Sequence, residues 1–371
     1  MTDIDIGLGK SARAAYGLED ISIVPSRRTR NPASVDLTWQ IDAFTFAAPV
    51  LGAPMDSVTS PDSAIALGDL GGLGVLHLEG VWTRHEYPEP LLEQLAAADP
   101  ADRRAILAKL YEPEVDLELV ARRIAQIRAG GSVAAGAVSP QGAVTLAPTV
   151  GRAELDLLVI SGTVVSAEHV SVGEEPLNLK RFVRELEVPV VVGGCSSYPA
   201  ALHLMRTGAA GIMVGVGTGR ASTTGRVLGL GSPLATAIAD ARAARMRHLD
   251  ETGVYVHLIA DGGIASGGDI AKAVVCGADA VTLGATLAAS SDAPGRGLHW
   301  GLPSAHATLP RGGVREVEPV GTLGQILHGP AVDDSGRTNV VGALRKSMSA
   351  AGYGSLKEMQ KAELVVLGAQ R

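Results

Sequence analysis

GIMVGVGTGRASTTGRVLGLGSP, residues Gly211–Pro233, contains a short apolar run followed by a loop rich in glycine, serine and threonine. The apolar run predicts a buried strand over Ile212–Val216, and a helix is expected from Pro233 with Ser232 as its N-cap. A loop of this composition exposes backbone N–H groups and hydroxyls, which suits it to holding a phosphate or another anion. The stretch therefore indicates an α/β fold with a ligand site where the strand ends.

The same alternation of apolar runs and helical patterns extends from about residue 48 to residue 290. The predicted strands are Pro49–Ala53, Leu73–Leu78, Val133–Val138, Leu155–Ile160, Val188–Val192, Ile212–Val216, Val256–Ala260 and Ala280–Leu283. The predicted helices between them are Ser60–Leu70, Asp116–Arg128, Ala143–Gly151, Leu177–Glu187, Tyr198–Thr207, Pro233–Thr252 and Gly268–Cys276. Such an alternation predicts a closed (β/α)8 TIM barrel.

An open, doubly wound sheet is the alternative arrangement of alternating strands and helices. That fold places a G-x-G-x-x-G turn directly after its first strand. Here the first strand leads into APMDSVTS, residues Ala53–Ser60, and no segment carries the glycine fingerprint in that context. The barrel is therefore favoured.

Composition excludes several functional classes. Of 371 residues 46% are hydrophobic and 46 are glycine, which suits buried parallel strands joined by tight loops. The formal net charge of −7 and the absence of a basic run argue against nucleic-acid binding. No apolar run reaches the roughly 18 residues of a membrane span, and no signal-peptide pattern precedes the barrel. With only Cys195 and Cys276 and no expected disulfide, we predict a cytoplasmic protein of one domain over residues 1–371.

Three segments fall outside the barrel repeat. The polar stretch Trp82–Glu114 is expected to be an excursion after the second strand, with a helix at Pro100–Leu110. Residues Pro294–Pro330 lack periodicity and are rich in glycine, proline and histidine, which is typical of a functional lid. The tail Val341–Leu367 returns to a helical pattern.

The segments after the seventh and eighth strands predict a phosphate site. They read DGGI (Asp261–Ile264) and LGAT (Leu283–Thr286). In TIM barrels these two loops commonly cradle phosphate at the carboxyl ends of the strands. Their glycines allow close backbone approach, and a helix that begins near Ser266 directs its positive end to the same place. The carboxylate of Asp261 could accept hydrogen bonds from two ribose hydroxyls.

Six stretches, taken in order and spacing, carry a further signal. They are GLEDISIVPSRRTR (Gly17–Arg30), PVLGAPMDSVTS (Pro49–Ser60), VVVGGCSSYPAA (Val190–Ala201), IADGGI (Ile259–Ile264), GADAVTLGA (Gly277–Ala285) and VGALRKSMSAAGYGSLKEMQKAELV (Val341–Val365). Together they cover nearly the whole chain and resemble the IMP dehydrogenase/GMP reductase family. Members usually insert regulatory CBS modules after the second strand. Trp82–Glu114 is too short for that insertion, so the chain resembles the short IMP-dehydrogenase-related subgroup or a GMP reductase.

The resemblance implies a chemistry in which a cysteine adds to C2 of a purine nucleoside monophosphate and a hydride passes to or from NAD or NADP. It implies that the nucleotide contacts Met55, Asp261, Gly262, Gly263, Gly284, Ala285 and His299. The implied cofactor-binding residues are Ser161, Gly162, Gly194, Gly215 and Gly217. The family also implies K⁺ held by carbonyl oxygens, here at Gly217, Gly219 and Ser222, and a homotetramer or octamer.

The catalytic loop departs from the family pattern, because Ser222 precedes Thr223 and Thr224 where the family carries its nucleophilic cysteine. A serine hydroxyl needs a positioned base before it can attack. The histidines that could supply one are His257, His299 and His306. Arg220 and Arg311 are candidate anion or base partners. The predicted catalytic residues are Ser222, Thr224 and Arg311.

Three interpretations follow from this departure. The first is a purine-nucleotide oxidoreductase with an altered loop, in which Ser222 is catalytic or only a loop hydroxyl and Cys195 is an alternative nucleophile. The second is a nucleotide-binding protein without redox chemistry. The third is an unrelated aldolase or isomerase barrel, which should present a lysine or a Glu/His pair at a strand end. No predicted strand ends in lysine, which argues against the aldolase form.

Overall fold

Eight parallel strands close into a barrel in the computed structural model, which describes residues 3–169, 177–301 and 313–368. In chain order they are β1 (Val50–Gly52), β2 (Leu73–His77), β3 (Ala135–Val138), β4 (Leu157–Ser161), β5 (Val190–Cys195), β6 (Gly211–Val214), β7 (His257–Asp261) and β8 (Ala280–Leu283). Consecutive strands pair, and β8 closes the ring by placing Val281 opposite Val50 of β1. The predicted (β/α)8 barrel is confirmed, and every predicted strand overlaps an observed one.

The strands are apolar along their whole length because both of their faces are covered. All residues of β2 and β5 are buried, and in β7 only the two end residues, His257 and Asp261, are partly exposed. Parallel strands read this way when side chains fill the barrel interior and helices cover its outside. This burial leaves the strand ends as the places where polar side chains can reach a ligand.

Helices cover the outside of the barrel and extend beyond it. Their bounds are Pro61–Asp69, Glu89–Ala97, Arg103–Leu110, Leu117–Ala129, Pro140–Arg152, Leu179–Glu185, Tyr198–Met205, Thr224–Leu228, Leu234–Thr252, Gly267–Cys276, Ala285–Ala288, Leu323–His328, Val340–Ala351 and Leu356–Met359. Short 3₁₀ turns lie at Pro32–Ser34 and Val81–Thr83. Among the described helices, none is both long and apolar enough to cross a membrane.

Serine residues start the helices that follow several strands. Ser60, Ser139, Ser197 and Ser266 each accept a hydrogen bond from a backbone N–H in the first turn. Ser60 and Ser266 form reciprocal capping boxes, which satisfy two of the free N–H groups at a helix start. These caps set the direction in which each helix leaves the mouth of the barrel.

The helix predicted from Pro233 begins one residue later, at Leu234. Pro233 occupies the N-cap position and no side chain caps the helix, so the prediction of Ser232 as the cap was wrong. The N–H of Ser232 bonds instead to the carbonyl of Val216, at the base of the loop. A short helix, Thr224–Leu228, also interrupts the stretch that the sequence predicts to be irregular.

The segments outside the barrel contain more regular structure than predicted. The excursion after β2 carries an additional helix, Glu89–Ala97, and no CBS module is evident there. Within the lid-like segment, Leu323–His328 is a helix whose Thr322 and Gln325 form a capping box that the composition concealed. The tail carries a strand, Leu364–Val366, antiparallel to Ile21–Ile23, where the sequence predicted a helix.

Three further antiparallel ribbons pair Asp3–Gly7 with Lys10–Arg13, Trp39–Ile41 with Phe44–Phe46, and Leu298–His299 with Arg315–Glu316.

Asp279, which precedes β8, ties the tail to the amino-terminal end of the barrel. Its carboxylate accepts hydrogen bonds from Arg245 Nη1 at 2.7 Å, Lys357 Nζ at 2.9 Å and the N–H of Leu258 at 2.9 Å. Gln360 Nε2 adds a contact at 3.2 Å. Burial alone favours the neutral acid, but the positive charges of Arg245 and Lys357 outweigh it, so the pKa of Asp279 is lowered. The buried carboxylate of Asp279 therefore links the tail, through Lys357 and Gln360, to Arg245 and the barrel.

Replacing Asp279 by asparagine should cost about 3–5 kcal/mol of unfolding free energy, because it leaves Arg245 buried without its counter-ion. A carboxyl whose pKa is lower in the folded than in the unfolded state contributes its full stabilisation of the folded state at neutral pH. That contribution is lost as the pH falls below about 4. Stability of the Asp279→Asn variant should thus fall less steeply in acid than that of the wild type, measured by urea unfolding across pH. Asp334→Asn, at an exposed position, is the control, and equal losses in both variants would contradict the assignment.

Candidate functional site

The loops at the carboxyl ends of the barrel strands enclose a cavity of about 630 Å³. Sites for small ligands and cofactors typically measure about 300–1,000 Å³, so this volume suits a ligand of nucleotide size or larger. The predicted site residues that line it are Met55, Ser161, Gly162, Gly215, Gly217, Gly219, Ser222, Thr224, Asp261, Gly262, Gly263, Gly284, Ala285 and His299. Arg220 lines it as well.

Four predicted residues either do not line the cavity or cannot be placed. Gly194 is not among the residues that line the cavity, and a Cβ there would lie 2.5 Å from the carbonyl oxygen of Gly215, so its role in cofactor binding stays a prediction. His257 begins β7 at the opposite end of the barrel and contacts Trp39 and Tyr255, so it cannot serve Ser222. Arg311 and His306 lie outside the described residues.

The loops after β6 and β7 meet in a close backbone contact that requires glycine. A Cβ at Gly215 would lie 2.0 Å from the carbonyl oxygen of Asp261. A Cβ at Gly262, whose φ is +88°, would lie 2.5 Å from Thr218 Oγ1 and 2.7 Å from the N of Gly219. Thr218 Oγ1 also donates to the carbonyl of Asp261 at 2.9 Å. The loop that carries Ser222 is therefore packed against the turn predicted to hold phosphate.

His299 borders the turn after β8 but carries no positive charge there. A Cβ at Gly284 would lie 3.7 Å from His299 Cε1 and 3.6 Å from Met55 Sδ, so both side chains flank this turn. Burial, assisted by the charge of Arg315, lowers the pKa of His299 to about 4. Its Nδ1 lies 3.1 Å from Ser57 Oγ. A neutral imidazole can hydrogen-bond to a phosphate but cannot neutralise one.

Arg337 supplies a positive charge to this side of the cavity, and the sequence reasoning missed it. Arg337 lines the cavity and is half-buried. Its neighbour Gly336 lies beside Ser266, the N-cap of Gly267–Cys276, with 3.4 Å between a built Cβ and that of Ser266. Among the described residues no carboxylate lies within ion-pair distance of Arg337, although the exposed Asp333 interacts with its charge. No sequence motif indicates this role, because Arg337 reaches the cavity only through the path of the chain after the lid-like segment.

Asp261 sits at the end of β7 with its side chain toward the cavity. Burial raises the pKa of its carboxyl to about 6. Hydrogen bonds from ligand hydroxyls favour the charged form and would lower that pKa again. Nearby, Thr282 Oγ1 is buried without a partner among the described residues and lines the same wall. Both groups are polar positions that a bound ligand would satisfy.

Ser222 is held as a loop hydroxyl in this structure. Its Oγ accepts a hydrogen bond from the N–H of Thr224 at 3.2 Å, and its own N–H donates to the carbonyl of Gly219 at 2.9 Å. Across the described part of the chain, no histidine or carboxylate bonds to Ser222 Oγ. The geometry shows a local serine turn before the helix Thr224–Leu228 and not an activated nucleophile.

Neither cysteine offers a replacement nucleophile. Cys195 is buried and donates weakly to the carbonyl of Met213 at 3.5 Å, and it does not line the cavity. Burial raises the pKa of the Cys195 thiol to about 12, and that of Cys276 to a similar value. A thiol in this state supplies almost no thiolate at neutral pH.

The opposite end of the cavity is formed by residues after β2, β3 and β4. Glu79 accepts hydrogen bonds from the N–H and, at 3.0 Å, from Oγ of Ser139. Arg84 donates to the carbonyl of Glu79 at 2.9 Å, and Ser161 Oγ is buried without a partner among the described residues. His77, Glu79, Arg84 and Ser139 line the cavity although the sequence analysis did not select them. Their position just after predicted strands was the available signal.

Glycine turns after β7 and β8, beside a polar cavity, are the arrangement by which TIM barrels take phosphorylated ligands. The IMP dehydrogenase / GMP reductase domain matches residues 15–370, and the chain belongs to this family. The family predicted from the sequence is therefore confirmed.

Relatives of known name or structure agree with this placement. A protein of Mycolicibacterium smegmatis named as an uncharacterized oxidoreductase is 51% identical, over 98% of this chain and 99% of its own. Inosine-5'-monophosphate dehydrogenase of Methanocaldococcus jannaschii is 26% identical, over 96% of this chain and 93% of its own. The crystal structure of an IMP dehydrogenase/GMP reductase-like protein from Corynebacterium glutamicum has a TM-score of 0.92 at 46% identity, with coverage of 98% and 97%.

Gly262→Ala should destabilise the protein by about 2–4 kcal/mol, because it adds a clash with backbone and Thr218 to the strain of positive φ. Gly253→Ala is a matched control, since Gly253 has a φ of +72° and nothing within 4 Å of a built Cβ. The control should lose only about 1–2 kcal/mol. Denaturant unfolding measures both variants, and equal losses would show that the loop contact is not tight.

Proposed function

We propose that the chain binds a purine nucleoside monophosphate at the mouth of the barrel and catalyses NAD- or NADP-dependent oxidoreduction at the purine ring. The carrying observation is one continuous cavity that joins the glycine turns at Gly263 and Gly284 to a second polar end at Ser161 and Glu79. The names of these two relatives, an oxidoreductase and a nucleotide dehydrogenase, favour the same chemistry. The chain is, in this proposal, a diverged paralogue with an altered catalytic loop.

In this proposal the phosphate binds at the turns after β7 and β8. Backbone N–H groups of Gly263, Gly284 and Ala285 would face its oxygens, and the helix Gly267–Cys276 would contribute the positive end of its dipole. Arg337 would supply the counter-charge, because His299 is neutral at pH 7. The backbone N–H groups would therefore orient the phosphate, and the guanidinium of Arg337 would neutralise its charge.

The nucleoside part extends from the phosphate toward the catalytic loop. Asp261 and the neighbouring Gly262 would hold the ribose, with the carboxylate accepting from its hydroxyls. Met55, which flanks Gly284, would pack against the purine ring. The ring would then lie between Met55 and the loop that carries Ser222 and Thr224, both of which line the cavity.

The second polar end of the cavity would hold the nicotinamide cofactor. Ser161, with its unpartnered buried hydroxyl, offers a donor, and Gly162, Gly215 and Gly217 allow close approach. Bound NAD or NADP would supply the hydride acceptor or donor. Any K⁺ would rest on carbonyl oxygens of Gly217, Gly219 and Ser222, where the Gly219 carbonyl already accepts the Ser222 N–H at 2.9 Å.

Assembly and location are part of the same proposal. We place the chain in the cytoplasm as one domain over residues 1–371. The exposed apolar side chains of the first hairpin, Ile4, Ile6 and Leu8, support self-association, and the proposed assembly is a homotetramer or octamer.

A purine-nucleotide-binding protein without redox chemistry is the second candidate function. It is favoured by one observation, the capture of Ser222 Oγ by the N–H of Thr224. In that case the cavity would bind the nucleotide for a regulatory purpose, and the polar end near Ser161 would have no cofactor to hold.

Arg337→Gln should weaken the binding of IMP or GMP by about 1.5–3 kcal/mol, the usual value of a charge-assisted hydrogen bond. Isothermal titration calorimetry should show this loss for the monophosphate, while the weaker binding of the matching nucleoside stays unchanged. Arg226→Gln, on the exposed part of the short loop helix, is the control. Equal weakening of nucleotide and nucleoside would remove Arg337 from the phosphate site.

Ser222→Cys should create or raise redox turnover with IMP or GMP by about tenfold or more, because a thiol supplies thiolate at neutral pH and a serine does not. Absorbance at the nicotinamide band, with NAD⁺ or NADPH present, measures this gain. Ser222→Ala is the matched control and should bind nucleotide without any gain. A Ser222→Cys variant that binds nucleotide but transfers no hydride would favour the binding-protein function.

A further inference from the structure

A buried Asp–His pair lies in the wall of the cavity and takes no part in the assignments above. Asp56 follows Met55 after β1 and is 1% exposed, and His77 ends β2 and is 6% exposed. His77 Nδ1 lies 3.5 Å from Asp56 Oδ2. His77 also lines the cavity, whereas Asp56 does not. In this pair, His77 is therefore the member that a ligand in the cavity can contact, and Asp56 lies behind it in the interior.

The carboxylate of Asp56 is enclosed on every side that the structure describes. Tyr111 donates its hydroxyl to Asp56 Oδ2 at 2.5 Å, and Trp300 Nε1 donates in turn to the Tyr111 oxygen at 3.0 Å. A Cβ at Gly80 would lie 2.1 Å from Asp56 Oδ1. Burial first, and then the charge of Asp56, raises the pKa of Tyr111, so this phenol remains a donor. One hydrogen bond does not compensate a buried carboxylate, and Asp56 Oδ1 has no hydrogen-bond partner among the described residues. His77 forms the ion-pair contact with Oδ2.

This environment sets the tautomer of His77. Nδ1 is fully buried and forms no hydrogen bond to any described residue, and the acceptor that it faces is Asp56 Oδ2 at 3.5 Å, so a proton on Nδ1 is stabilised by that carboxylate. The ring nitrogen left for the cavity is then Nε2, with its lone pair free. Two other charged groups face this end of the cavity, and both are already engaged. Glu79 bonds to Ser139, and Arg84 bonds to the carbonyls of Glu79, Tyr111 and Pro113.

We propose that His77 is the general base of this site and that it takes a proton from the water that adds to the purine ring. The proposal rests on the proposed function and names the group that replaces thiol chemistry. Ser222 Oγ is occupied by the N–H of Thr224 and has no base beside it, whereas His77 has a free lone pair and a carboxylate behind it. An Asp–His pair of this kind orients the imidazole and stabilises the imidazolium that forms.

The step balances in atoms and electrons. The water oxygen forms a bond to the electrophilic ring carbon as one O–H bond breaks, and that proton moves to His77 Nε2. The π electrons of the ring C=N bond move onto nitrogen. Bound NAD or NADP would be the oxidant, accepting the hydrogen of the C–H bond with its electron pair as hydride, while the pair on nitrogen re-forms the C=N bond. The imidazolium then releases its proton to solvent, so the ring carbon is oxidised by two electrons and one proton is released.

The first test does not depend on turnover. In protein labelled with ¹⁵N-histidine, the NMR signals of His77 should show a neutral ring protonated on Nδ1 with a bare Nε2. Asp56→Asn should shift this ring toward the Nε2-protonated tautomer, and Tyr111→Phe should do so partly if Asp56→Asn does not fold. His77→Gln identifies the signals, and His203→Gln, at an exposed position, should leave them unchanged. A wild-type ring protonated on Nε2 overturns the proposal.

The second test uses the reaction. His77→Gln should lower kcat about 100-fold or more and leave nucleotide affinity within about threefold. A fall in affinity with kcat unchanged would make His77 a binding residue and overturn the proposal. If the wild type binds nucleotide but transfers no hydride, the proposed redox function fails, and with it the base role. The predicted tautomer would then assign the pair to ligand binding.

Discussion

The close backbone contact between the loops after β6 and β7 is the constraint on which the site depends. Gly215 meets the carbonyl of Asp261, and Gly262 meets Thr218, at distances that no Cβ would allow. The contact holds the loop of Ser222 against the turn that continues into Gly263. The parts assigned to ring chemistry and to phosphate binding are therefore fixed relative to each other by glycine, before any ligand contributes.

Charge is distributed unevenly along the cavity, and this distribution orients the proposed ligand. His299 is neutral at one end, so Arg337 provides the positive charge there. Asp261, with a pKa near 6 caused by burial, lies next along the wall and favours hydroxyl groups over a second phosphate. At the far end Glu79 occupies the start of the helix Pro140–Arg152, which removes that helix end as an anion site. A ligand with one terminal phosphate matches this order.

The sequence predicted the barrel and most of the cavity wall because strand periodicity and glycine turns are local signals. It failed where partners are distant in the chain or where packing decides. Arg337 reaches the cavity through the path of the tail, and no nearby motif marks it. Gly194 has the composition of a loop glycine but ends in a close contact with the carbonyl of Gly215 and does not line the cavity. His257 begins β7 and therefore lies at the end of the barrel opposite the cavity. The hydrogen bond that holds Ser222 Oγ comes from Thr224, the first residue of a short helix that composition did not indicate.

A crystal structure grown with saturating IMP or GMP tests the central claim most directly. We predict the 5′-phosphate on the backbone N–H groups of Gly263 and Gly284 within reach of Arg337, the ribose hydroxyls on Asp261, and the purine beside Met55. A nucleotide bound elsewhere, or a cavity left empty at saturating concentration, would contradict the account.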